Sequence, residues 1–314
     1  MQKNFFAMNT YNTVTVYENI PTDILDETEQ ILKNLESMWS VTDEQSEIFA
    51  VNHAEGNPVE VSGETAELLG YALEMCRKTG GALDISLYPV LTAWGFTTGE
   101  YHILSDQELA EKMQLTGYEE ISLSGSAITL PPGFEIDLGA VAKGYACDLL
   151  TEFLTENGVS SAILSLGGNI QAIGSKPDGS AWNISVQHPE AGDSLGILSL
   201  TDTSIVTSGA YERYFTGEDG KRYGHILDPK TGKPAESGLA SATIIGADSR
   251  MCDALSTAIF VMGLDKTTEF WRGNGGFDML LVTDDGEIYL TEGLEGSFAL
   301  AENHRDMPLH ILRP

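Results

Sequence analysis

Three helix-period stretches that each stop on glycine set the frame of this chain: residues 62–78 before Gly80-Gly81, 141–157 before Gly158, and 249–262 before Gly263. Glycine ends helices well because it enters the left-handed backbone region with no Cβ to clash. Between these helices run short stretches with the two-residue alternation of strands. Residues 13–17 predict a first strand, and Ile24, Leu25, Ile31, Leu32, Leu35 and Met38 then follow helical spacing after Thr22 as N-cap. The capping pair Ser105 and Glu108 opens a short helix, and a tight loop is expected around Asp84, Pro89 and Gly95. The apolar run 162–166 ends at Gly167-Gly168 as a buried strand does. Further strands are expected near 183–187, 195–200, 223–227 and 240–245, and residues 279–283 and 287–290 form a hairpin turned at Asp285-Gly286. No fixed repeat, low-complexity linker or proline-rich hinge interrupts the series, so the expectation is one α+β domain over residues 1–300 with a tail over 301–314.

A chain of 314 residues that is 42% apolar can bury a substantial core. Its formal net charge of −30 sets a field that repels nucleic acid and anionic membrane, because phosphate binding depends on Lys and Arg displacing counterions. A polynucleotide partner is therefore excluded as an expectation. An anionic small ligand in the same field needs a metal ion, a placed cation or a helix N-terminus to hold it. Cys76, Cys147 and Cys252 are far apart and each sits in an apolar helical pattern, so they read as small core residues and not as a disulfide frame or zinc cage. No run approaches the roughly 18 apolar residues that span a bilayer, so no transmembrane segment is expected. The compartment stays open: a trimmed export signal would mean a membrane-anchored extracytoplasmic lipoprotein, and its absence a cytoplasmic protein.

Three polar and glycine-rich clusters ask for chemistry. The run from His225 to Gly232 packs an imidazole, the carboxylate of Asp228 and a Pro/Gly turn into one short segment. Asp253 and Thr257 are four residues apart on a helix, which puts a carboxylate and a hydroxyl on one face with Ser256 beside them. Oxygen donors of this kind suit Mg²⁺, which takes one or two protein ligands and completes its shell with water and substrate phosphate. The segment from Asp137 to Gly144 enters a helix through small residues, which favour close backbone approach of a ligand or of another helix, and Lys143 is placed there to meet a phosphate or solvent. Its spacing is not that of a P-loop, and no G-x-G-x-x-G dinucleotide fingerprint is present.

In order along the chain, Met8-Asn9-Thr10, Ser46-Glu47-Ile48 with Asn52, Gly81-Ala82-Leu83-Asp84 leading to Pro89 and Trp94-Gly95-Phe96, Ile136 to Gly144, Leu166-Gly167-Gly168-Asn169, Thr207-Ser208-Gly209 with Tyr211-Glu212-Arg213, His225 to Gly232, and Asp253 to Thr257 resemble the FAD:protein FMN transferases of the ApbE type. The resemblance implies an ApbE-like, T-fold-related α+β domain with mixed sheets and packed helices, holding FAD with Mg²⁺ at its pyrophosphate. It implies transfer of FMN from FAD to a Thr or Ser hydroxyl of an acceptor flavoprotein, with release of AMP. Carried over by position, it assigns the metal to the Ala140 carbonyl, the Asp253 carboxylate and the Thr257 hydroxyl, with Ser256 as neighbour. It assigns FAD contacts to Met8, Ala82, Leu83, Asp84, Asp137, Lys143 and Leu227, and puts His225 near the reacting phosphate. An imidazole with an ordinary pKa of about 6.5 suits the role of base toward the acceptor hydroxyl. Thr42 stands where the family often has an aromatic for the adenine, leaving Trp39 or Tyr88 as substitutes, and Leu83 stands where Phe is frequent.

Two other functions fit the same residues. An Mg²⁺-dependent FAD pyrophosphatase uses the same cleft and metal but delivers water. A noncatalytic FAD carrier binds the dinucleotide without needing Asp253 and Thr257 at its phosphates.

Overall fold

The first reversal of the chain falls on Met8 and Asn9, both with positive φ (54° and 56°), in a two-residue turn that pairs Ala7 with Thr10. Adjacent positive φ values are what the right-handed twist of a tight hairpin demands, and Met is an unusual residue to meet that demand. The computed structural model describes residues 1–314 and holds seven helices. In chain order these are α1 (Thr22–Trp39), α2 (Glu47–Asn52), α3 (Gly63–Lys78), α4 (Tyr88–Trp94), α5 (Asp106–Met113), α6 (Ala142–Glu156) and α7 (Ser249–Asn274).

The chain divides into two compact units, each discontinuous in sequence. The first comprises residues 1–33, 143–211 and 237–314, and the second comprises 34–142 and 212–236. The first unit is built on a nine-stranded sheet in the spatial order Gln2–Ala7, Thr10–Val16, Ser161–Leu166, Asn169–Gly174, Thr203–Gly209, Leu239–Gly246, Asp278–Thr283, Ile288–Thr291, Leu309–Leu312. All pairs are antiparallel except the last, where Leu309–Leu312 runs parallel to Ile288–Thr291, so the sheet is mixed. Residues 301–314, expected as a tail, thus supply an edge strand. A second sheet of Trp182–Gln187, Ser194–Leu200 and Phe298–Leu300 packs Val186, Leu195 and Leu198 with Ile205, Ile245, Leu280 and Leu290 of the large sheet.

The stop expected at Gly263 holds for the helix that begins at Ser249, and a second helical stretch follows across a kink. Gly263 takes φ 75° and ψ 175°, which breaks the helical geometry, yet helical hydrogen bonding resumes and α7 runs on to Asn274. A Cβ there would lie 2.7 Å from the Ser237 carbonyl oxygen, so only glycine fits the kink. The three cysteines are free and buried, and burial pushes the Cys76 thiol up to about 12, as expected of inert core thiols.

In the second unit the caps behave as the sequence predicts. Ser62 accepts from Thr65 N at the start of α3, and Ser105 and Glu108 form a reciprocal capping box on α5. The loop expected around Asp84, Pro89 and Gly95 is partly helical: α4 starts with Pro in its first turn and stops at Gly95 in the left-handed conformation. Leu87, Val90, Trp94, Leu109 and Leu227 form the local core, and Trp94 Nε1 donates to the Gly232 carbonyl at 2.9 Å.

Candidate functional site

In the first unit, the N-terminal turn of α7 and the first turn of α6 meet at van der Waals limits. A Cβ on Gly144 would lie 2.3 Å from the Ser249 carbonyl oxygen and 2.7 Å from Asp253 Cβ. The glycine therefore serves helix packing, the second of the two uses its small size allows. That closeness lets Gly144 N donate to Asp253 Oδ2 at 2.8 Å. Asp253 is only 4% exposed, and no Lys, Arg or His forms an ion pair with it. A carboxylate this buried is costly without a cation nearby.

The hydroxyls beside it form a chain. Ser256, fully buried, donates to the Asp253 carbonyl at 2.9 Å and shares a 2.8 Å hydrogen bond with Ser208 Oγ, which lies 3.4 Å from Thr257 Oγ1. Because Ser256 spends its proton on the carbonyl, Ser208 must be the donor to Ser256, which leaves Ser208 as an acceptor toward Thr257. The lone pairs of Thr257 then face away from Ser208. The Thr207-Ser208-Gly209 motif assigns Ser208 no role by itself; its place opposite α7 follows from the register of Thr203–Gly209 in the sheet, which spacing alone does not reveal. The carboxylate and hydroxyl are hard oxygen donors, and no group of three or more His, Cys, Asp or Glu side chains gathers anywhere to make a different metal centre. One carboxylate plus a hydroxyl fits Mg²⁺ used with a phosphate-bearing substrate.

In the second unit, Asp137 N donates to the Ile85 carbonyl at 2.9 Å, which joins two expected FAD segments. Asp137 Oδ1 accepts from Gly139 N at 2.8 Å, and the Leu138 carbonyl receives Val141 N and Ala142 N, so the segment carrying Ala140 is a folded turn leading into α6. Asp84 is an internal clamp: Oδ1 takes Ser86 N and Oγ, and Oδ2 takes Tyr118 N. Burial pushes its carboxyl up, against the lowering effect of those hydrogen bonds. Ala82 is half-buried beside it, while Leu83 and Leu227 are nearly fully buried, Leu227 in the cluster with Trp94. Trp39 and Tyr88, the substitutes expected for the adenine, are both buried, and Trp39 Nε1 donates to Thr65 Oγ1.

His225 is half-buried on the segment after Arg222–Gly224, and its Nδ1 lies 3.1 Å from the Arg213 carbonyl. A carbonyl only accepts, so Nδ1 carries the proton in the neutral ring and Nε2 is the basic nitrogen. Lys143, half-buried, is the residue before Gly144 at the start of α6, and Met8 occupies the hairpin turn of the first unit.

Two cavities lie elsewhere in the first unit. One of about 720 Å³ is lined by Thr203, Ile245, Trp271, Arg272 and Phe277, and one of about 440 Å³ by His188, Glu190, Asp284 and His304. Neither includes an expected site residue, and the candidate site is marked by the buried donors at α7.

A family model described as the ApbE family matches residues 8–281. The chain belongs to the ApbE family. Among its curated relatives, an FAD:protein FMN transferase of Klebsiella pneumoniae is 32% identical over 268 residues, covering 83% of each chain. One from Treponema pallidum is 32% identical over 289 residues, covering 86% of this chain and 80% of the relative. The crystal structure of an ApbE protein from Thermotoga maritima superposes with a TM-score of 0.88 at 32% identity, covering 95% of this chain and 98% of that one. The apo flavinyl transferase ApbE of Pseudomonas stutzeri gives 0.85 at 29% identity over 96% and 97%. These matches establish the α+β ApbE fold that the motif order implied.

Proposed function

We propose that this ApbE-family enzyme is a flavin transferase that moves FMN from FAD to a Thr or Ser hydroxyl of an acceptor flavoprotein and releases AMP, with Mg²⁺ as its metal. The acceptor oxygen forms a bond to the FMN phosphorus while the bridging bond to AMP breaks and its electron pair leaves with AMP. The observation that carries the reading is Asp253: a buried carboxylate, fixed by the Gly144 N–H, with no basic side chain paired to it and Thr257 one helical turn further along α7.

In this reading Asp253, Thr257 and the Ala140 carbonyl hold the metal, and Ser256 supports it by fixing Ser208 and the Asp253 carbonyl. Bound Mg²⁺ supplies charge neutralisation at the pyrophosphate, the main requirement of phosphoryl transfer. Lys143 adds a cation at the start of α6. Met8, Ala82, Leu83, Asp84, Asp137 and Leu227 complete the FAD contacts. His225 takes the acceptor proton at Nε2, since Nδ1 is committed to the Arg213 carbonyl.

The test is incubation with FAD, Mg²⁺ and an acceptor flavoprotein, read by mass spectrometry. Gain of one FMN on a Thr or Ser, with AMP released and both lost in Asp253→Ala, is expected. Free FMN and AMP without mass gain would identify a pyrophosphatase, and intact FAD without AMP a carrier.

A further inference from the structure

The first-turn N–H groups of α7 are claimed by two carboxylates from different helices. Asp248, the N-cap, accepts from Met251 N at 2.9 Å, while Asp148 of α6 accepts from Ser249 N at 2.9 Å and Arg250 N at 3.0 Å. These are the groups that every helix leaves without an internal partner. Asp148 lies one helical turn beyond Gly144 on α6, so the same face of α6 presents a donor to Asp253 and an acceptor to the turn that carries it. Two further contacts stiffen the junction: Ser249 Oγ lies 2.9 Å from Ser204 Oγ on the sheet, and the Arg250 guanidinium sits over the Tyr145 ring at 5.4 Å with Nε 3.3 Å from Asp148 Oδ2.

We propose that Asp148 is a positioning residue for the cation: by clamping Ser249 and Arg250 it fixes the rotation of α7 and so the place of the Asp253 carboxylate. Asp148 does not touch the metal. It acts through α7, as groups behind a metal ligand commonly do, and loss of such support costs ten- to a hundredfold in metal affinity. The inference rests on the metal reading of Asp253.

The test uses Mn²⁺ titrated into the full chain at saturating FAD, with free Mn²⁺ counted by electron paramagnetic resonance and Asp253→Ala as the reference without the site. Asp148→Asn, which can offer only one acceptor to the two N–H groups, is expected to weaken Mn²⁺ about tenfold. It should raise the metal KM in parallel while kcat at saturating metal stays within about twofold. Asp148→Glu keeps both acceptors on a longer arm and should recover most of the affinity, which a generally loosened fold would not do. Ile259→Val, a fully buried change on the same helix, should lower stability without moving Mn²⁺ affinity. Wild-type affinity in both Asp148 variants, or equal weakening in Ile259→Val, overturns the positioning role while leaving the metal reading intact. Wild-type affinity in Asp253→Ala overturns the metal reading and this inference with it.

Discussion

His225 shows how one backbone contact selects a chemical role. The Arg213 carbonyl holds the proton on Nδ1 and leaves Nε2 basic. His225→Ala should reduce FMN transfer by about a hundred- to ten-thousandfold while FAD affinity, followed by quenching of flavin fluorescence, stays near wild type. Equal transfer rates would remove the imidazole from the mechanism. Asp148 carries a second residue-scale consequence. Burial, the largest cause, and Asp248 nearby push its carboxyl from 3.8 up to about 6, although the Ser249 and Arg250 N–H groups act the other way. Because the folded value lies above the unfolded one, its contribution to stability is full below about pH 3.8 and is lost as pH rises through about 6. Urea unfolding from pH 5 to 7.5 should therefore show wild type losing about 1 kcal/mol relative to Asp148→Asn across that window. Parallel curves would show that the carboxyl is ionised in the fold throughout. Asp253, Thr257 and His225 stand out as candidates in the sequence because a carboxylate and a hydroxyl lie one helical turn apart and an imidazole precedes a Pro/Gly turn. Asp148 does not, and Ser208 does so only as part of a motif with no role of its own, since each matters only through a partner about 50 to 100 residues away.

Among the elements, what the sequence conveyed well was what chemistry decides locally. The Ser62 cap, the Ser105/Glu108 box and the Gly158 stop of α6 needed no tertiary information. α4 was hidden because Pro89 and Gly95 mark turns as readily as they mark a helix's first turn and its left-handed end, and only packing of Val90 and Trp94 separates the cases. The strand Thr203–Gly209 was missed because serine and threonine replace the usual apolar alternation; its hydroxyls are used instead on Ser249, Thr243 and Ser256. The α6–α7 contact was half visible: Gly144 announced a close approach but not its partner. Gly144→Ala puts a methyl 2.3 Å from the Ser249 carbonyl oxygen, and backbone must move to admit it. That overpacking should cost about 3 kcal/mol or more and lower Tm by several degrees in a thermal melt, together with Mn²⁺ affinity, since Asp253 moves with its helix. An unchanged Tm would mean that the helices are free to slide apart.

For the molecule as a whole, two compact units are not legible in the sequence because neither is a continuous segment: residues 34–142 and 212–236 form one, and the chain starts in the other and returns to it twice. A boundary search along the sequence looks for a single composition break, and this arrangement has none. The property that does belong to the entire chain is its charge, 47 acidic residues against 17 basic. Self-repulsion on that scale destabilises the folded state, and salt screens it over a Debye length of about 10 Å at 0.1 M. KCl should accordingly raise Tm in wild type and Asp253→Ala alike. MgCl2 at matched ionic strength adds whatever a specific site contributes, because a cation that binds only the folded chain stabilises by RT ln(1 + [L]/Kd). At ten times Kd that is about 1.4 kcal/mol, or roughly 2–4 °C for a chain of this size. The extra shift should appear in wild type and vanish in Asp253→Ala. If the two proteins respond equally to MgCl2, the ion is acting on the diffuse negative field, and Asp253 is buried for a reason other than holding a cation.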